Sequence, residues 1–125
     1  MTKVSLLYID DEYLNLLAFK ALFRRDYTVY CANSAEEGLK KLQQNPVDFI
    51  FCDQRMPGMS GTEFLSIVRV SFPHLNRCII SGFTDDAAIR QGLKTGLIDR
   101  AFEKPYNQGS LVQYIKAATD EQVRG

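Results

Sequence analysis

Three carboxylates, one hydroxyl and one lysine stand where short apolar runs end: Asp10 and Asp11 after LLYI, Asp53 after FIFC, Ser81 after RCII and Lys104 after AFE. Carboxylates gathered in one place repel one another, so such a group persists only with a compensating cation, proton or lysine. Oxygen donors with no histidine or cysteine among them select a hard ion, and one or two carboxylates completed by water and a phosphate suit Mg2+ better than calcium. Lysine offers a point charge to an oxyanion and serine donates one hydrogen bond. Together with a cation, Lys104 and Ser81 could therefore neutralise the oxygens of a phosphoryl group in flight. Asp53 is the candidate nucleophile, because aspartate forms acyl phosphates. Taken singly, each residue has a plainer reading: a turn and helix cap at 10–12, a turn at Asp53, a cap at Ser81, a solvated charge at Lys104. Four separate chain positions, each carrying a group that one reaction needs, lift the combination above coincidence.

The elements that must position these groups alternate from end to end. Residues 4–9 read as a strand. Leu14, Leu17, Ala18, Ala21 and Leu22 then recur at helical spacing up to Arg24 and Arg25. A β-rich run follows at 28–32. Asn33 or Ser34 caps a second helix, with Glu37 in the capping-box position and Leu39 and Leu42 on its buried face, and Pro46 closes it. Residues 47–52 suit a central parallel strand, delivering Asp53 to a loop at 54–61. A third helix spans 63–70 with Phe64, Leu65 and Val68 inward, and a fourth strand spans 77–80. Thr84 or Asp85 caps a fourth helix carrying Ala87, Ala88, Ile89 and Leu93, stopped by Gly96. A fifth strand at 97–102 and a last helix with Leu111, Val112, Ile115 and Ala118 complete the order. Five βα units imply a parallel sheet covered on both faces, with ligands bound outside the carboxyl ends of its strands.

Bulk properties narrow the class. The chain has 125 residues, 46% hydrophobic and 24% charged, a soluble globular composition with room for one core. Fifteen basic residues balance fifteen acidic ones, which argues against direct nucleic-acid binding or a membrane-surface patch. Three cysteines, Cys31, Cys52 and Cys78, are an odd number without metal-site spacing, and with no long apolar segment at the start they fit a reducing cytoplasm. No stretch approaches the roughly 18 apolar residues of a membrane span. His74, the lone histidine, sits in a polar turn beside Pro73 and reads as a surface residue.

Four segments, YIDDE at 8–12, FCDQRMPGMSG at 51–61, IISGF at 79–83 and FEKPY at 102–106, occur in the order and spacing of a known family. Over roughly residues 3–118 the sequence resembles the receiver domains of response regulators in two-component signalling. The resemblance implies a flavodoxin-like, CheY-like fold: a doubly wound (βα)5 domain whose parallel strands lie in the order 2-1-3-4-5. It implies residues 1–125 as one receiver, either standing alone or cut from a longer regulator. By the same comparison Asp53 accepts the phosphoryl group in a Mg2+-dependent reaction. Asp10, Asp11, Asp53 and the backbone carbonyl of Arg55 hold the metal, Ser81 binds the phosphoryl group, and Lys104 pairs with it. The Lys104–Pro105 peptide is expected to be cis. Met56, Pro57, Gly58 and Gly61 form the turn after the phosphorylation site, where glycine permits backbone conformations closed to other residues.

The partners so implied are a histidine kinase or histidine phosphotransfer protein as donor and an output domain or partner protein as reader. A homodimer through the fourth helix, fifth strand and fifth helix is a further implied contact. The Asp-Gln-Arg-Met and Glu-Lys-Pro-aromatic segments are similar to receivers that precede larger output modules.

One position departs from the pattern: Ala101 stands where many receivers carry the aromatic residue that reports phosphorylation. Phe102 is expected to face the core instead, and the loop from Ser81 to Thr84, with Phe83 or Tyr106, becomes the candidate relay. Ala101 is also the one support for an alternative, a receiver fold used only for docking or dimerisation and never phosphorylated. An aspartate-nucleophile phosphatase fits poorly, since its acids lie two residues apart after the first strand. A flavin carrier fits poorly as well, because acids there would repel the cofactor's phosphate. Cys52, beside Asp53, is expected to point into the core by strand alternation.

Overall fold

The computed structural model describes the backbone of residues 3–124 and the side chains of residues 3–120. Its elements are β1 (Ser5–Ile9), α1 (Tyr13–Phe23), β2 (Thr28–Ala32), α2 (Ala35–Gln44), β3 (Phe49–Cys52), α3 (Gly61–Ser71), β4 (Asn76–Ser81), α4 (Ala87–Thr95), β5 (Arg100–Glu103) and α5 (Gln108–Arg124). All neighbouring strands pair in parallel, in the order β2-β1-β3-β4-β5. Every residue of β1 and β3 is buried, as central parallel strands covered on both faces require. Alternate residues feed two cores. Leu7, Ile9, Ile50, Cys52 and Ile79 meet Leu42, Phe64, Leu65, Val68 and Ile89 on one face. On the other, Leu6, Tyr8, Phe49, Phe51, Cys78, Ile80 and Phe102 meet Leu16, Phe19, Phe23, Leu111 and Ile115. The strand order reverses at β1 and β3, which places a crevice beyond their carboxyl ends.

The helix α1 turns the opposite way from the face its leucine spacing predicts. Leu16, Phe19 and Phe23 are buried, while Leu14, Leu17 and Leu22 are 76%, 47% and 43% exposed. The helix carries two apolar stripes, and the aromatic one wins because the sheet face beneath it is aromatic. Phe19 stacks on Tyr8 with ring centroids 4.3 Å apart and lies 4.6 Å from Phe23 and 5.9 Å from Phe51. Rings bury more area than leucines and gain further from offset stacking.

Helix caps differ in detail. Ser34 caps α2 as expected, accepting from the Glu37 N–H, but the Glu37 carboxylate receives the Asn33 N–H rather than that of Ser34. The reciprocal capping box forms instead at α3, between Ser60 and Glu63, so that helix begins two residues earlier than its apolar pattern shows. Asp86, not Thr84 or Asp85, caps α4 through its Oδ1, which accepts from the Ala88 and Ile89 N–H groups. Beyond α4, Gly96 takes a left-handed conformation and the Ile98 N–H returns to the Gly92 carbonyl, so residues 97–99 form a turn and β5 starts at Arg100. Two basic residues of this region are locally engaged: Arg90 pairs with Asp85 ahead of α4, and Arg100 lies over the rings of Phe102 and Tyr114. His74 is exposed. No described helix is long and apolar enough to cross a membrane.

Candidate functional site

Asp53 is fixed where the β1–β3 ladder runs one residue past Cys52: its N–H donates to the Ile9 carbonyl at 2.9 Å. Asp10 is fixed likewise on the other side, its N–H donating to the Ala32 carbonyl at 3.1 Å. Lys104 extends the β4–β5 ladder through an N–H bond to the Ser81 carbonyl, 2.9 Å long. The loop beyond Asp53 is tied back to α3. The Gln54 side chain accepts from the Thr62 N–H at 2.8 Å and donates to the Thr62 Oγ1 at 3.1 Å, and the Gly61 N–H donates to the Gln54 carbonyl. Gly58 has a φ of +84°, which meets the expected need for glycine's freedom. Gly61 is needed for a different reason: a Cβ there would run into the Asp53 carbonyl oxygen and press on Ile79.

The three acids meet. Asp10, Asp11 and Asp53 each offer a carboxylate oxygen, all within 4.8 Å of one another. Asp10 is fully buried, Asp53 is nearly so, and Asp11 is open to solvent. Lys104 joins two of them, its Nζ 2.9 Å from Asp10 Oδ2 and 3.2 Å from Asp53 Oδ2. The Lys104–Pro105 peptide is cis. Asp10 takes further donors: the Tyr8 hydroxyl at 2.7 Å and the Asn15 Nδ2 at 3.0 Å, both on Oδ2, and the Glu12 N–H at 2.9 Å on Oδ1. Sequence reasoning missed Tyr8 and Asn15, although Tyr8 stands two residues before Asp10 and so faces the same side of the strand.

These contacts split the acids electrostatically. Burial works to raise the Asp10 carboxyl's pKa, but the Glu12 amide, Tyr8 hydroxyl, Lys104 and Asn15 outweigh it and hold it below the usual range. Asp53 goes the other way: burial raises it, the Asp10 charge adds to that, and Lys104 only partly offsets them. Burial lowers Lys104, yet its bonds and charge contacts with Asp10 and Asp53 leave it raised, so it stays an ammonium. A group of carboxylate oxygens, one of them solvent-facing, fits a hard divalent ion in its donor chemistry.

Ser81 is fully buried at the end of β4, and its Oγ accepts the Phe83 N–H at 3.1 Å. The Arg55 guanidinium lies over the Phe83 ring, 3.8 Å from its centroid, so any part of Arg55 in a cation site falls to its carbonyl. Ala101 packs against one core face, and Phe102 enters the other, as alternation predicts. Cys52 is fully buried with its thiol directed to the Asp53 carbonyl, and burial pushes that thiol's pKa well up, which leaves it unreactive.

A doubly wound sheet with an acidic, lysine-bridged, cation-competent cleft at its switch point defines the class. The family follows from most of the chain: residues 6–116 match the family model described as "Response regulator receiver domain". The chain belongs to that family, the receivers of two-component response regulators. It is 34% identical to "Hydrogenase transcriptional regulatory protein HoxA" of Cupriavidus necator over 96% of its own length, and 37% identical to the protein of that name from Bradyrhizobium diazoefficiens over 91%. It spans about a quarter of those relatives, 25% and 24%. Among solved structures, the CheY-like receiver domain of Methanospirillum hungatei superposes with a TM-score of 0.89 at 27% identity, covering 98% of each chain.

Proposed function

We propose that this receiver takes a phosphoryl group onto Asp53 from a histidine kinase or histidine phosphotransfer protein, in a Mg2+-dependent reaction, and presents a changed surface to an output domain or partner. The observation that carries this reading is the bridge of Lys104 between Asp10 and Asp53, which gathers nucleophile, acids and phosphate partner in one cleft. Asp10, Asp11, Asp53 and the Arg55 carbonyl would hold the Mg2+, whose charge offsets that of the carboxylates and of the phosphoryl oxygens. An Asp53 carboxylate oxygen forms the new O–P bond while the donor imidazole's N–P bond breaks. The bonding pair returns to the imidazole nitrogen. Lys104 then turns from its carboxylates to a phosphoryl oxygen, and the Ser81 hydroxyl donates to another. Intact mass after incubation with a small-molecule phosphodonor and Mg2+ tests this. A gain of one phosphoryl group supports it, and no gain with Mg2+ bound leaves the docking module.

The exposed stripe of α1 has a place in this reading. Leu14 and Leu17, with Tyr13 at 69% exposure, begin directly after Asp11 and Glu12 at the mouth of the cleft. A donor protein must bring an imidazole to that mouth, and an apolar patch beside it gives the donor a surface to bury. Leu14→Glu and Leu17→Glu should slow transfer at least about tenfold, the loss of one or two buried leucine contacts. The measurement uses any histidine phosphotransfer protein that labels the parent. Labelling by the small phosphodonor should be unchanged, and equal loss with both donors would refute the docking role.

Ala101 requires another route outward. The Phe83 N–H is bonded to the Ser81 hydroxyl and its ring is covered by Arg55. When Ser81 turns to the phosphoryl group, the loop to α4 is drawn with it. The expected result is a shift of backbone amide resonances from Phe83 through α4 on phosphorylation. Resonances of α4 that stay in place would end this account.

A further inference from the structure

Asp10 Oδ2 receives three donors, from Tyr8, Asn15 and Lys104, and Oδ1 receives the Glu12 N–H. A carboxylate oxygen has about two acceptor sites, so Oδ2 carries one donor more than it can satisfy while Oδ1 keeps one site open. One of the three donors on Oδ2 is therefore in excess. The Glu12 amide is part of the backbone at the start of α1. Tyr8 is 1% exposed and its ring is clamped in the stack on Phe19. Asn15 is held on α1. Lys104 is the movable member: it reaches the cleft on a flexible stem and is shared with Asp53. Its departure would ordinarily strip a buried carboxylate of compensation.

We propose that Tyr8, assisted by Asn15, is a positioning residue that keeps Asp10 satisfied when Lys104 leaves, and so opens the cleft to Mg2+ and frees the lysine for the phosphoryl group. The inference rests on the proposed function. Without the hydroxyl, Asp10 holds Lys104 more tightly, and the ammonium competes with the metal for the same carboxylates. Hydrogen-bond partners of metal ligands commonly change affinity by about 10–100-fold when lost.

Tyr8→Phe keeps the ring and its stack and removes only the donor. Calorimetric titration with Mg2+ should show affinity about tenfold weaker than in the parent, at the lower end of that range. The Mg2+ concentration for half-maximal labelling by a small phosphodonor should rise to match, with the rate at saturating Mg2+ within about twofold of the parent; a merely structural defect would lower the rate at every Mg2+ level. In a Lys104→Met background the Tyr8→Phe effect on affinity should vanish, because no ammonium remains to be released. Unchanged affinity in Tyr8→Phe, or a loss that persists without Lys104, overturns the proposal. A parent that fails to bind Mg2+ would instead strike the reading on which it rests.

Discussion

Asp53→Asn should take up no phosphoryl group under conditions that label the parent, seen as an unchanged intact mass. The amide carries no anionic oxygen to attack phosphorus and cannot form a stable acyl phosphate, so the loss is to background rather than partial. The same substitution makes a second, independent statement about stability. Burial and the Asp10 charge raise the Asp53 carboxyl, so folding disfavours its ionised form. For a raised carboxyl, the folded state keeps its proton longer than the unfolded chain. Its favourable contribution is present at low pH and is lost as pH rises through the unfolded value toward the folded one. At neutral pH the Asp53 charge is therefore a net cost, and the neutral amide removes it. Thermal melts at pH 7 without Mg2+ should show Asp53→Asn melting higher than the parent, by on the order of a few degrees. Added Mg2+ should raise the melting temperature less than in the parent, because the ion then finds one carboxylate fewer. A lower melting temperature would mean that the bond lost from Lys104 outweighs the repulsion relieved.

How much of this was open to reading in the sequence depended on which contacts are local. The five βα units and the core-facing residues of the central strands follow from apolar runs, because β1 and β3 are buried on both faces and admit few other patterns. The site residues follow from strand ends plus motif spacing, and the structure brings Asp10, Asp11, Asp53 and Lys104 together as that spacing implies. The face of α1 was not legible, since YLNLLAFKALF holds two apolar stripes and only the aromatic sheet face beneath it decides between them. The caps at Ser60 and Asp86 depend on side-chain rotamers at loop ends, where several Ser, Thr and Asp residues compete. Tyr8 was hidden for the opposite reason: as an aromatic in a strand it reads as core. It is core, with only its hydroxyl reaching the site.

Lys104→Met should separate the duty the structure shows for the ammonium, bonding Asp10 and Asp53, from the phosphate-binding duty proposed for it. Methionine keeps an unbranched apolar stem and removes the charge. Labelling by a small phosphodonor at saturating Mg2+ should slow by about 10²–10³, the usual consequence of deleting one preorganised donor to a developing oxyanion. Stability should move in the direction opposite to that of Asp53→Asn. Lys104 bonds both Asp10 and Asp53 and helps to hold the Asp10 carboxyl low. That depressed carboxyl contributes stability above the ordinary carboxylate range, lost as pH falls through its folded value. Without the lysine, the neutral-pH contribution shrinks by about 1.5–3 kcal/mol, the scale of a hydrogen bond to a charged group. The melting temperature without Mg2+ should therefore fall, and Mg2+ should restore more of it than it adds to the parent, because the ion replaces the missing cation. A variant labelled at the parental rate would transfer the phosphate-binding duty to another cation. Arg55 would then be the candidate, since its guanidinium already stands over Phe83 beside the loop that holds Ser81.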